Sequence, residues 1–563
     1  MKIQTKEQIS KKGLCIKETL TNVFLLVLGI ILFTLPQPNF LFLNGVSFLA
    51  YFSLIPVFLL VRNLSWKTVW IYGFFYGFGC YCLYAYWLAS FHPMGITVIA
   101  SMYGFYLMIA FPCLKAAFSL FPKSGWIIQW IIWCAYEYIK TCGFAGFHYG
   151  VTGYSQWENS LLIQNADWGG VWGISALIVF PSAIIAQMIY EVLKSKKNIE
   201  DKKNLVSIFK DIKESVISHR ISCFVWLVLF VASLVYGIFS KIDYSNALTV
   251  KIALIQPNND PWRGGIEAYA ANYEQLVKLS DEALKADPDI DLVVWPETAF
   301  VPRIEYHYKY RQKRESFELV EKLLNYLDNA PVPFLIGNDH AVLGYSRTGR
   351  YEAIDYNSAL LFMPKENCIP PNPQKYMKMH LVPFTEYFPY EKIFPKLYER
   401  LLNGDTHMWE PGTVPVVFEA AGFKFGTPIC FEDTFGYIGR KFVKNGAESF
   451  INISNDAWSK SLACQYQHLS MAVFRCVENR VSAARATASG QTSFVDPNGK
   501  VIAMAEPFQK TYLIEDLPIH NVEKQTIYTC CGDFVGVCFA LLGIGFLVFG
   551  IIRSIKTNKR GEV

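Results

Sequence analysis

A single cysteine, Cys430 in GTPICFEDTFG (residues 426–436), stands between a β-type run and two acids. Such a thiol could fill a core, form half of a disulfide, ligate a metal or act as a nucleophile. Two other segments bear on the choice. DLVVWPE (291–297) ends in Glu297, and KYMKMHLVPFTEYFP (375–389) supplies Lys378 and Glu386. Each of these polar residues falls where a strand-like run gives way to a loop, and such ends are where α/β folds place chemistry. A Glu, a Lys and a Cys from three strand ends would make an acyl-transfer set. The carboxylate takes the thiol proton, the thiolate attacks a carbonyl carbon, and the ammonium stabilises the oxyanion.

The elements that must position these residues are legible as alternating runs. KIALIQP (251–257) and DLVVWPE are short apolar stretches flanked by turn formers, which predicts buried strands. IEAYAANYEQLVKLSDEALKA (266–286) between them carries helical spacing. PFLIGND, SALLFMP, FKFGTPIC, SFINISND and TSFVDPNG add further strands. Alternation of this kind predicts a sheet covered by helices.

The remainder of the 563 residues is of another character. At 52% hydrophobic and a mean hydropathy of +0.22, the chain is too apolar for an ordinary soluble enzyme. Apolar stretches near the bilayer-crossing length of about twenty residues run over 20–38, 41–61, 68–90, 97–121, 124–142, 161–190, 219–240 and 533–552. More spans follow the first directly and no small-residue cleavage site does, so it is not a cleaved signal peptide. Basic residues crowd alternate loops: Lys2, Lys6, Lys11, Lys12 and Lys17, then Arg62 and Lys67, then Lys123, then eight between Lys194 and Arg220. TLPQPN, FHPMG and GFAGFHYGVTGYSQWENS contain none. The expectation is a cytoplasmic amino terminus. The expected division is a membrane domain over 1–240 with seven helices, an extracytoplasmic α/β domain over 241–532, and an eighth helix with a cytoplasmic tail over 533–563. A net charge of +5 in a chain of this size does not suggest nucleic acid. The fourteen cysteines show no CxxC or Cys/His spacing, so no metal site is readable.

VVWPETAF, YMKMHLVPFTEYFP, GTPICFED and INISNDAW occur in the order and character of the nitrilase superfamily, and with the spans the chain resembles its membrane-embedded branch, the apolipoprotein N-acyltransferases. The resemblance extends to GYSQ (153–156), QPN (256–258) and QHLSMAVFRCVENRVSAARATASGQT (467–492). It implies an αββα sandwich beside eight transmembrane helices, with Glu297 as general base, Lys378 as oxyanion stabiliser and Cys430 as acylated nucleophile. It also implies supporting roles for Glu386, Phe431 and Glu432, and a substrate-binding role for Trp262. The implied reaction moves an acyl chain from a phospholipid through a cysteine thioester to the α-amino group of a diacylglyceryl lipoprotein. It needs no cofactor or metal, engages membrane lipids, and is run by a monomer in the bacterial inner membrane. Two departures stand out: Thr385 replaces a frequent Gly, and GFAGF (143–147) lacks the usual Pro-Trp. The rivals are a membrane-tethered amidase or nitrilase acting on a small carbon–nitrogen substrate, and a transporter carrying an inactive nitrilase-like domain. Eight spans count against the first, and a complete Glu-Lys-Cys set against the second.

Several residues have plainer readings. His380 and His468 are expected to be hydrogen-bonded structural histidines. Glu432 and Asp433 could be solvated acids after a strand, and Trp262 a membrane-interface aromatic. Glu137 and Asp167, near span ends, are expected to be functional or paired, or else to snorkel to headgroups. Cys530 and Cys531 stand where pairing with Cys368, Cys464 or Cys476 cannot be deduced.

Overall fold

The computed structural model describes residues 2–91, 95–197, 205–345, 349–402, 408–520 and 524–561. Lys202, Lys203 and part of FHPMG lie outside them. The chain divides into two compact units: one of 1–165, 171–239 and 533–563, the other of 166–170 and 240–532.

Among the described residues the second unit holds twelve strands in two six-stranded sheets. The first sheet contains β1 (Leu248–Gln256), β2 (Leu292–Val294), β3 (Phe334–Tyr345), β4 (Tyr351–Phe362), β5 (Gln374–Met377) and β12 (Thr511–Ile519), ordered β12-β1-β2-β3-β4-β5. The second contains β6 (Val417–Ala420), β7 (Phe423–Gly426), β8 (Ser449–Ser454), β9 (Ser482–Thr487), β10 (Ser493–Val495) and β11 (Val501–Met504), ordered β11-β10-β9-β8-β7-β6. In each sheet three neighbouring strands run parallel, β1-β2-β3 and β7-β8-β9, flanked by antiparallel partners. Parallel strands buried on both faces read as continuous apolar runs, which is why LVV and SFINIS are buried throughout.

The helix Ile266–Ala286 presents Tyr273, Leu276, Leu279 and Ala283 to the first sheet, a 3.6-residue stripe joined in the core by Leu319, Val320, Leu323 and Leu327 of Arg314–Asp328. Trp295, fully buried, donates its indole N–H to Ser280 Oγ at 2.9 Å. A polar contact inside this apolar layer therefore fixes the strand end two residues before Glu297. On the second sheet the helices are Gly436–Lys444 and Leu462–Asn479.

In the first unit each of the eight apolar stretches contains helix. Among the described residues five helices are long and apolar enough to cross a membrane: Ile16–Thr34, Gly95–Leu120, Leu162–Ser195, Arg220–Phe239 and Phe534–Thr557. The other stretches hold Ile55–Asn63, Val69–Tyr84 and Gly125–Ile139, of 9, 16 and 15 residues. Apolar composition overstates helix length here because parts of those stretches turn. Residues 36–46 fold around Asn39, whose Oδ1 accepts from the N–H groups of Leu41 and Phe42. Val69–Tyr84 meets Gly95–Leu120 at glycines. A Cβ at Gly73 would lie 2.5 Å from the Leu107 carbonyl, and one at Gly77 2.4 Å from that of Tyr103, the small-residue contact that lets apolar helices touch backbone to backbone.

Glu137 and Asp167 are held by protein partners, which excludes snorkelling. Glu137, 1% exposed, accepts from the Trp133 indole and from the N–H and hydroxyl of Thr152. Asp167 is paired with Arg480 inside the second unit.

Candidate active site

Glu297 follows β2, the middle strand of its parallel trio, Cys430 follows β7, an outer strand of the other trio, and Lys378 begins the loop after β5. The Glu297 turn is moulded on β3: a Cβ at Gly337 would fall 2.4 Å from the Pro296 carbonyl and 2.7 Å from the Glu297 Cα. Only a glycine permits that approach. Lys378, fully buried, donates to Glu297 Oε1 at 3.2 Å and to Glu386 Oε1 at 2.9 Å. Asn357 donates Nδ2 to Glu297 Oε1 at 2.8 Å, and Val382 N–H donates to Glu386 Oε2 at 2.8 Å. Burial opposes the charge of Lys378, but Glu297 and Glu386 outweigh it and raise its pKa above the ordinary lysine value.

Cys430 opens a 3₁₀ turn, Cys430–Thr434, with a φ of +50°. A left-handed backbone costs a non-glycine residue about 1–2 kcal/mol, so something must hold it. Two clamps do. Glu432, fully buried, accepts at Oε1 from the N–H groups of Met379 (2.7 Å) and His380 (2.9 Å), at Oε2 from that of Ile429 (2.8 Å), and at both oxygens from the Tyr376 hydroxyl. It therefore joins the Cys430 turn to the Lys378 loop. Its burial pushes the carboxyl up to about 7, against the backbone N–H groups that favour the ion. Asp433 is the second clamp: it is paired with Arg485 and lies 2.6 Å from His468 Nε2, whose Nδ1 lies 3.0 Å from Asp456. All four are buried.

Cys430 stays partly exposed. Burial first, then Glu297, push its thiol well above the ordinary value, with Lys378 opposing. Both groups thus act on the sulfur, in opposite directions. Attack by a thiol would require a group to take its proton, and Glu297 is a carboxylate that acts on this one.

The remaining expectations divide. His380 contacts Tyr437 through Nδ1 and packs on Phe435, its ring centroid 3.8 Å away. Burial and Lys378 lower its pKa to about 4, so it is neutral. His468 is structural too, but Glu432 and Asp433 are not solvated acids. Trp262 is 44% exposed in the loop after β1. Thr385 does not need glycine's freedom, because the left-handed residue of its loop is Phe384, at φ +65°. In GFAGF the glycines make the turn: Gly143 has a φ of +78°, and a Cβ at Gly146 would lie 2.3 Å from the Thr141 carbonyl. Cys530 and Cys531 are exposed, and no disulfide occurs among the described residues. Asn357, inside β4, and Tyr376, the first residue of YMKMHLVPFTEYFP inside β5, were not singled out from the sequence; the signal for each was a polar atom within a strand.

A carbon–nitrogen hydrolase family model matches residues 251–526, which assigns the two-sheet unit to the nitrilase-like class. A model described as the apolipoprotein N-acyltransferase N-terminal domain matches 29–184. Apolipoprotein N-acyltransferase 1 of Treponema denticola is 47% identical over 549 residues, covering 96% of this chain and 98% of that protein. Its namesake in Treponema pallidum is 44% identical, covering 97% and 98%. The chain belongs to the apolipoprotein N-acyltransferase family. Among solved structures, Saccharomyces cerevisiae Nit3, a member of branch 10 of the nitrilase superfamily, aligns at 20% identity over 48% of this chain and 90% of that one, with a TM-score of 0.34.

Proposed function

We propose that this chain is a phospholipid:apolipoprotein N-acyltransferase working by a ping-pong mechanism with Glu297, Lys378 and Cys430 as its catalytic residues. What supports the reading is a buried Glu297–Lys378 pair whose charges both act on the partly exposed Cys430, in a chain whose relatives bear that name. Glu297 takes the thiol proton as sulfur attacks the ester carbonyl. Lys378 compensates the oxyanion. The C–O bond breaks, and the lysophospholipid oxygen leaves with the proton from Glu297. The α-amino nitrogen of the S-diacylglyceryl cysteine then attacks the thioester, the C–S bond breaks, and the amine's proton returns to the sulfur by way of Glu297. Glu386 holds Lys378, and Glu432 with Phe431 sets the Cys430 turn. Trp262 contacts substrate lipid.

This chemistry needs both lipids brought from the bilayer to a site that excludes water, which would hydrolyse the thioester. We assign eight crossings, residues 241–532 to the extracytoplasmic side of the inner membrane, and a monomeric working state. Intact-mass measurement of the purified chain after incubation with phospholipid tests the reading. An acyl adduct on Cys430, absent in Cys430→Ser, is expected. A parent chain that never acquires the adduct, or a Cys430→Ser chain that still does, overturns it.

A further inference from the structure

On the sheet face beside Glu297, acceptors outnumber donors. Asp339 on β3 stands opposite Asn357 on β4 in the antiparallel register, so the two side chains share a face. Asp355, two residues along β4, shares it too. Asn357 must turn its Nδ2 toward Glu297, because an ionised carboxylate only accepts. Its Oδ1 is thereby left as an acceptor directed elsewhere. Among the described residues neither that oxygen nor Asp339 Oδ1 receives a hydrogen bond, although Asn357 is 1% and Asp339 9% exposed.

The nearby cations are committed: Lys378 to Glu297 and Glu386, Arg303 to Asp355. A buried carboxylate oxygen with no donor is a costly arrangement. Burial first, then Asp355 and Glu297, push the Asp339 carboxyl up to about 7, with Arg303 opposing. Nothing in the acyl-transfer steps above uses this group.

We propose that Asp339 and Asn357 form a binding subsite for a primary ammonium group beside Glu297, with the Asp355–Arg303 pair at its more exposed edge. A primary ammonium carries three N–H donors on a compact charge. Two satisfy Asp339 and Asn357 Oδ1, and the third is free to face Glu297. The inference rests on the proposed acyl transfer, which brings two ammonium groups within reach: the α-amino group of the acceptor, protonated in part at neutral pH, and the headgroup of an aminophospholipid donor. Binding the acceptor there places its nitrogen next to the base that must receive its proton.

The test uses the full chain in proteoliposomes, comparing the parent with Asp339→Asn in single turnovers. Adduct formation is timed with phosphatidylglycerol and with phosphatidylethanolamine, then adduct decay with a diacylglyceryl-cysteine peptide. A fall of about tenfold to hundredfold in the ratio of transfer rate to acylation rate supports the subsite and assigns it to the acceptor. A similar fall confined to acylation from phosphatidylethanolamine, relative to phosphatidylglycerol, supports it and assigns it to the donor headgroup. Unchanged ratios in both comparisons overturn it. Thermal unfolding in detergent with millimolar hexylammonium decides the matter even if no adduct ever forms, which would sink the acyl-transfer reading alone. The parent midpoint should rise on adding the amine and the Asp339→Asn midpoint should not; a parent that does not respond overturns the subsite.

Discussion

Glu297 and Lys378 share a hydrogen bond but meet different demands in the proposed acyl transfer. The first must move a proton and the second must only stay charged. Glu297→Gln should therefore block formation of the thioester itself, whereas Lys378→Met should slow acylation and transfer alike, by roughly 100-fold to 1000-fold. Single-turnover mass spectrometry separates the two, and a Glu297→Gln chain that acylates normally and fails only at transfer would move the base assignment to Glu386. Asp339 makes a prediction about pH. Its carboxyl is held at about 7 in the fold, with burial as the first cause, against 3.8 for the ordinary group. The folded state thus binds this proton more tightly than the unfolded one. The stability linked to it is complete below about pH 4 and is lost as pH rises through 7. Asp339→Asn removes that loss, so its thermal midpoint relative to the parent should climb between pH 4 and 7 and level off above. A constant offset across that range would contradict the shifted carboxyl.

At the scale of elements, Gly337 is the point where one strand decides the position of a residue on another. Gly337→Ala sets a methyl group against the backbone on both sides of Glu297, and a misplacement of about 1 Å at a reacting group can cost roughly 100-fold in rate. Acylation should fall by that order while the chain still inserts and binds phospholipid; an unimpaired rate would show that the turn yields freely. The same elements explain what could be read in advance. The strand-end positions of Glu297, Lys378 and Cys430 were legible because each lies where a strand-like run stops, a local signal. Glu386 and Glu432 came from motif resemblance, but the work of Glu432 depends on Tyr376, Met379 and His380, more than fifty residues away. The Asp433–His468–Asp456–Arg485 cluster joins a turn, a helix and a strand. No spacing rule announces such a cluster, so His468 was legible as structural and its partners were not. The short helices Ile55–Asn63, Val69–Tyr84 and Gly125–Ile139 were overestimated because hydropathy records what a segment dissolves in and not where its backbone turns.

For the whole molecule, sidedness is the property on which the proposed reaction depends, since its acceptor is a lipid-modified amino terminus beyond the cytoplasmic face. Cys530 and Cys531 are exposed natural reporters in the two-sheet unit. A membrane-impermeant maleimide should modify both in right-side-out vesicles, with the sites read by peptide mass mapping. Modification only after inversion would place residues 241–532 in the cytoplasm and remove the acyl-acceptor assignment.

The four-donor seat of Glu432 has a consequence for how this unit opens. A glutamine in its place has one carbonyl oxygen where the carboxylate has two, so it must abandon either the Ile429 amide or those of Met379 and His380. Under native conditions these three amides should exchange with deuterium slowly and with one common opening free energy, because a single side chain closes both loops. In Glu432→Gln they should split into a fast and a slow class, even under conditions where the thermal midpoint barely moves. If the three amides already exchange independently in the parent chain, the loops after β5 and β7 open separately, and the Cys430 turn owes its conformation to the Asp433 side alone.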